Sequence, residues 1–189
     1  MFQQIKEYLL NKSMLTDAEI GHIIGHFSVK KVNKNTLLLD ANETCRHFYF
    51  INKGAVRIYS LTHEGVELSR FFAFEDTFCT ALPSFIDQQP SYEYFQAIEK
   101  TELLQISRSD FYKLVGEFNG FEKIYREILE LSFINNQKRI YSYQGYSALE
   151  RIKLLMKMQP NFLFRVSNKL AASYLGISPY TLSRLKSKL

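Results

Sequence analysis

The sequence has no tryptophan, four prolines, four histidines and two cysteines in 189 residues. Each scarcity removes a class of chemistry. Cys45 and Cys79 cannot by themselves hold a four-cysteine iron–sulfur cluster. An intracellular setting favours reduced thiols over a disulfide between them. His22, His26, His47 and His63 are scattered. The i, i+4 spacing of His22 and His26 suits a metal on one helix face, but no third ligand follows, so no metal is expected. A His-x-His cluster, a nucleophile motif and a glycine-rich phosphate loop are all missing, so neither an enzyme nor a cofactor is expected. No stretch approaches the ~18 uncharged apolar residues of a membrane span. The opening MFQQIKEYLL lacks the basic, apolar and small-residue segments of a signal peptide. The expectation is a soluble, cytoplasmic protein with no membrane partner.

What is present is a large apolar fraction. Hydrophobic residues make up 46% of the chain, including 16 Phe and 12 Tyr, enough for a packed core in one large domain or two small ones. The first 27 residues read as helical, with Thr16 and Glu19 spaced as a capping box. From Val29 to Ser107 the texture changes to short strand-like runs: Thr36-LLLD, Arg46-HFYFI, Ala55-VRIYS, Val66-ELSRFFA, Tyr92-EYFQAI and Thr101-ELLQI. Their regular spacing predicts an antiparallel sandwich or barrel. Asn52-Lys53-Gly54 and His63-Glu64-Gly65 read as hairpin turns. In Ala55–Tyr59, Val56 and Ile58 face one way, Arg57 and Tyr59 the other.

Helical periodicity returns after Ser109, read as a cap for the following helix. A long helix is expected over 121–140, with Phe121, Ile124, Ile128 and Leu131 as a 3-4-3 stripe continuing to Asn135. That seam resembles a coiled coil with one polar residue to set register, and predicts a homodimer. Packing of the same stripe on its own barrel is the alternative. Residues 141–145 read as a hinge, Ala148–Met158 as an amphipathic helix, and Phe162–Val166 as a short apolar lead-in.

The final segment predicts two short helices and a tight turn. Lys169 to Leu175 suits the first, Gly176 its left-handed stop. Ser178 caps the next, with Pro179 in its first turn. Leu182, Leu185 and Leu189 form its buried face. Tyr180, Thr181, Ser183, Arg184, Lys186, Ser187 and Lys188 form the other. Charge is concentrated in this part of the chain. Residues 140–189 carry eight Lys/Arg and one acid, a net of +7, against −2 for residues 1–139. A basic second helix held by a first is the helix-turn-helix way into the major groove, and double-stranded DNA is the expected partner.

Three passages carry a family resemblance: Phe48-YFINKGAVRIYS, Ala97-IEKTELLQISRSDFYKLV and Ala171-ASYLGISPYTLSRLKSKL. In this order they resemble the Crp/Fnr transcription regulators, the last passage being most similar to a Bacteroidetes-like subgroup. The resemblance implies an α+β chain. Residues 1–117 would form an antiparallel β jelly-roll of the cyclic-nucleotide-binding type. Residues 118–141 would be a long dimerisation helix, and 142–189 a helical helix-turn-helix domain. By position Ser178, Thr181 and Arg184 match the family's DNA-contacting residues, with Arg184 on a guanine edge; Lys169, Lys186 and Lys188 are expected on phosphates, and Tyr180, with Pro179 in place of a polar or charged pair of the family, completes the expected DNA face. The resemblance also implies contact with RNA polymerase. Cys79 and Thr80 stand where the family's Gly-Glu pair would be, and Ser91 and Tyr92 where its Arg-Ser pair would bind a cyclic phosphate. No arginine lies between Arg70 and Arg108. A buried phosphate without its cation is costly, so cyclic AMP and GMP are not expected; an unknown small-molecule effector, or none, takes their place. The family's β-hairpin wing has no counterpart after the last helix. The competing expectation is a small-molecule-sensing or protein-interaction module that does not bind DNA.

Overall fold

The computed structural model describes residues 1–187. The chain forms two compact units: residues 1–58 with 72–130, and residues 59–71 with the chain from Leu131 onward. The order opens with helices α1 (Gln3–Lys12) and α2 (Asp17–Gly25). Strands β1 (Ser28–Val32), β2 (Leu37–Leu39), β3 (His47–Lys53), β4 (Val56–Leu61), β5 (Glu67–Ala73) and β6 (Phe78–Cys79) follow. Then come α3 (Leu82–Asp87), β7 (Tyr94–Ala97), β8 (Thr101–Ser107), α4 (Arg108–Glu117), α5 (Asn119–Gly145), α6 (Ala148–Met158), α7 (Phe162–Arg165), α8 (Asn168–Leu175) and α9 (Pro179–Lys186).

The strands make two four-stranded sheets, ordered β1-β8-β3-β6 and β2-β7-β4-β5. β8 lies antiparallel to both β1 and β3, with Val29 opposite Leu104 and Phe50 opposite the same residue on its other side. Tyr49 of one sheet meets Phe95 of the other edge-on at 5.3 Å. All six expected strand runs are strands; β1 and the two-residue β6 were not anticipated. The expected hairpin at 52–54 is instead a corner between sheets, since β3 and β4 are not neighbours. Gly54 makes that corner at φ +96, where a Cβ would lie 2.8 Å from Lys100 O. The turn at 63–65 does join neighbouring strands, β4 and β5.

An aromatic cluster fills the first unit. Phe48 stacks on Phe111 at 4.5 Å, and Phe111 meets Phe121 and Tyr125 edge-on at 5.4 and 5.1 Å. The opening turns of α5 therefore belong to the sandwich's own core. The expected dimer stripe is divided: Phe121 and Ile124 are buried within the chain, as the alternative of packing on its own barrel requires, and Ile128 is half-buried. Phe121 is covered by Phe111 of α4. Leu131 and Asn135 remain exposed.

Local signals fix the helix boundaries. Thr16 and Glu19 form the expected capping box on α2. Ser107, not Ser109, caps α4 by accepting the Asp110 N–H. Residues 141–145, read as a hinge, are helical: Ser142 is buried and its hydroxyl donates back to Arg139 O at 2.7 Å. The break falls at Tyr146–Ser147, where Ser147 and Glu150 cap α6 reciprocally. No helix among the described residues is long and apolar enough to cross a membrane.

Candidate nucleic-acid interface

The final two helices form as their residues dictate. Ser167 caps α8 by accepting the Leu170 N–H. Gly176 ends it in the left-handed region at φ 63, and the N–H groups of Gly176 and Ile177 both reach Ala172 O. Gly176 has a second constraint: a Cβ there would lie 2.7 Å from Tyr143 Cε1. Ser178 then accepts the Thr181 N–H at 3.0 Å, and Pro179 occupies the first turn of α9, where no N–H is needed. Leu182 is fully buried, as are Ala171, Ala172 and Leu175 of α8.

This seam turns the other face of α9 outward. Tyr180 is 75% exposed, and Lys169, Ser178 and Arg184 are exposed as well. Thr181 is half-buried, its hydroxyl 2.9 Å from that of Ser178. Lys186 is also half-buried, and its ammonium donates to Asn168 Oδ1 at 2.7 Å. Asn168 in turn donates to Ser183 Oγ at 2.6 Å. Asn168 thus ties the start of α8 to α9, a role no periodicity signals. Lys188 and Leu189 lie outside the described residues.

Three of the four expected effector residues are buried. Cys79 is buried, and desolvation pushes its thiol far above the ordinary range, with nearby Cys45 adding to the effect. Thr80 is buried and spends its hydroxyl on His47 O at 2.8 Å. Ser91 is buried, with its hydroxyl on Glu93 O at 2.9 Å. Tyr92, by contrast, is 90% exposed. Sequence reasoning put Arg57 on a face opposite Val56 and Ile58, yet both faces of β4 are buried there. Arg57 donates from Nε and Nη2 to Gln96 Oε1, at 2.9 and 2.7 Å. Among the described residues, no group of three or more His, Cys, Asp or Glu side chains is placed to hold a metal.

Comparison with known proteins places this geometry. Residues 29–118 match the family model of the cyclic nucleotide-binding domain. No curated protein sequence matches the chain. Among solved structures, FixK2 from Bradyrhizobium japonicum superposes with a TM-score of 0.76 at 19% identity, covering 86% of this chain and 84% of that one. The c-di-GMP-responsive global regulator CLP of Xanthomonas campestris gives 0.72 at 16%, covering 92% and 91%. A protein of Eubacterium rectale classed with the Crp/Fnr transcriptional regulators gives 0.72 at 17%, covering 96% and 87%. Identities this low speak for fold alone: the chain shares the fold of these Crp/Fnr-type regulators, and the match to the cyclic nucleotide-binding domain model lies within it.

Proposed function

We propose that this chain is a DNA-binding transcription regulator that acts as a homodimer on a palindromic site. The observation that carries this reading is the outward face of α9. A buried Leu182 seam fixes the helix on α8 and leaves Tyr180 and Arg184 in solvent, in the part of the chain that holds a net charge of +7. In this reading residues 1–117 sense, 118–141 dimerise and 142–189 bind DNA. Two-fold symmetry sets the two copies of α9 about one DNA turn apart, ~34 Å. The partner surface runs along the second half of α5, where Phe133 is 65% and Tyr141 62% exposed, with Leu131, Ile134 and Ile140 also open. An apolar strip of that size on a helix favours a protein partner over water.

The sensor is not expected to take cyclic AMP or GMP. Ser91 has committed its hydroxyl within its own turn, and exposed Tyr92 brings no charge. Calorimetry with either nucleotide at ~100 µM should show no saturable heat; a micromolar dissociation constant, a free energy of about −8 kcal/mol, would require another cation and overturn this part. The DNA reading is tested by fluorescence anisotropy with generic duplex. Affinity should fall steeply between about 50 and 200 mM salt, as counterion release demands. No binding at 50 mM salt would favour a sensing or protein-interaction module that leaves DNA alone.

A further inference from the structure

β5 is the outer strand of its sheet, and an edge strand needs partners for its outward backbone groups. Here those partners come from α5 and α8. The Ser69 N–H donates to Ser173 Oγ at 2.8 Å, and the Ser173 hydroxyl donates to Glu67 O at 2.8 Å. Arg139 of α5 donates through Nη2 to Ser69 O at 2.8 Å and through Nη1 to Arg70 O. The same Nη2 reaches Tyr174 O at 3.5 Å, a carbonyl in the last turn of α8 that a cation suits.

Aromatic rings close the cluster. The Arg139 guanidinium lies 4.6 Å from the Tyr174 ring and 5.3 Å from the Tyr143 ring. Arg151 lies over the same Tyr143 ring at 5.2 Å. The Tyr143 hydroxyl donates to Tyr174 O, and its ring edge packs where only Gly176 leaves room. One guanidinium therefore joins three segments that are distant in sequence: the β4–β5 hairpin, the long helix and the first helix of the helix-turn-helix.

We propose that Arg139, with Tyr143 and Ser173, is a latch that holds α8 to the β4–β5 hairpin, so that movement of the hairpin is felt by the helix-turn-helix. None of the latch groups is on the outward face of α9. Lys169, Tyr180 and Arg184 stay exposed while the latch is closed. The latch therefore positions the reading helix without covering it. Strands β4 and β5 continue from the hairpin into the sheet of the sensor domain, which gives a state of that domain a covalent route to the latch. The consequence for DNA rests on the proposed function; the coupling itself does not.

The test uses the full chain without DNA. Hydrogen exchange is followed in residues 62–70 and 168–176 for wild type and Arg139→Met. Losing the charge-assisted bonds should speed exchange in both segments together by roughly ten- to a hundredfold, with α1 to α4 unchanged. A second variant adds Ser69→Cys and Ser173→Cys to Arg139→Met; the two serine hydroxyl oxygens lie 3.2 Å apart, so the sulfurs that replace them face each other for cross-linking. Oxidation should then restore slow exchange to α8. If Arg139→Met speeds the hairpin but not α8, or if the closed disulfide leaves α8 fast, the latch is wrong. Separate anisotropy on the same samples reports DNA binding. A wild type that ignores DNA but shows linked exchange would sink the proposed function and leave the latch standing.

Discussion

Gly176→Ala separates two costs that meet at one residue. Its φ of 63 imposes a left-handed conformation on alanine, roughly 1–2 kcal/mol. The new methyl would also sit 2.7 Å from Tyr143 Cε1, well inside the ordinary carbon–carbon contact of about 3.5–4.0 Å. The ring cannot slide away without loss, because its hydroxyl is bonded to Tyr174 O and two guanidinium groups lie over it. Disturbing that bond and those contacts adds about 1–2 kcal/mol. The whole substitution should therefore cost roughly 2–4 kcal/mol in the opening free energy of α8 and α9. Gly65→Ala is the control: its φ of 78 carries the same conformational cost, but nothing lies within 4 Å of the added methyl. Native-state hydrogen exchange in low urea reads the opening of residues 168–187 and 62–70 locally. The decisive measurement is the double-mutant cycle with Tyr143→Ala. In that background Gly176→Ala should fall back to the conformational cost alone, a coupling of about 1–2 kcal/mol. Equal costs in both backgrounds would refute the contact argument and leave backbone strain as the only reason for glycine.

Phe133→Glu should yield monomers by sedimentation at micromolar concentration with helix content intact, whereas Ile124→Asp, which buries a carboxyl in the core, should lower stability by about 3 kcal/mol or more; a Phe133→Glu chain that still sediments as a dimer would move the interface elsewhere. Arg184→Ala should cost roughly 1–3 kcal/mol on the cognate site and relax preference at one base pair, while Lys169→Ala should weaken all sequences alike and flatten the salt slope by about one. Equal losses on specific and random DNA would make Arg184 another phosphate contact. Burial chiefly, with the charges of Lys30 and Arg46, holds the His47 imidazole below its ordinary value of 6.5. The unfolded chain then binds the extra proton first, so this contribution to stability is intact above pH 6.5 and declines as pH falls through that value, levelling off below the folded one. Urea midpoints from pH 7.5 down to 5 should show a shallower decline in His47→Gln than in wild type.

Much of the fold was legible because its signals are local. Period-2 runs became strands, and the Thr16–Glu19, Gly176 and Ser178–Pro179 patterns fixed helix ends through bonds within a few residues. The misreadings share one cause: distant chain competed with the local pattern. Gly54 looked like a hairpin glycine, but the approach of Lys100 and Thr101 makes it a corner between sheets. The 141–145 segment looked like a hinge, but Ser142 satisfies itself inside the helix and is buried. β1 has too few apolar residues to announce itself; it is defined by pairing with β8 across seventy residues of sequence.

The dimer stripe shows how the same limit affects a functional reading. Spacing alone says that Phe121, Ile124, Ile128 and Leu131 share a helix face, and it cannot say what covers that face. Phe111 decides the question. It stacks on Phe48 of the sandwich and presents its edge to Phe121, drawing the first turns of α5 into the core. Past Leu131 that cover ends, and apolar residues remain on a helix that continues to Gly145. A partner surface, if it obeys the same physics, begins where the chain's own core stops. For the latch the sequence offered no period at all: Arg139, Ser69 and Ser173 are ordinary polar residues until an edge strand leaves its backbone groups facing them. Their importance comes from the donors and acceptors that β5 must satisfy, and an accounting of those bonds finds them where pattern does not.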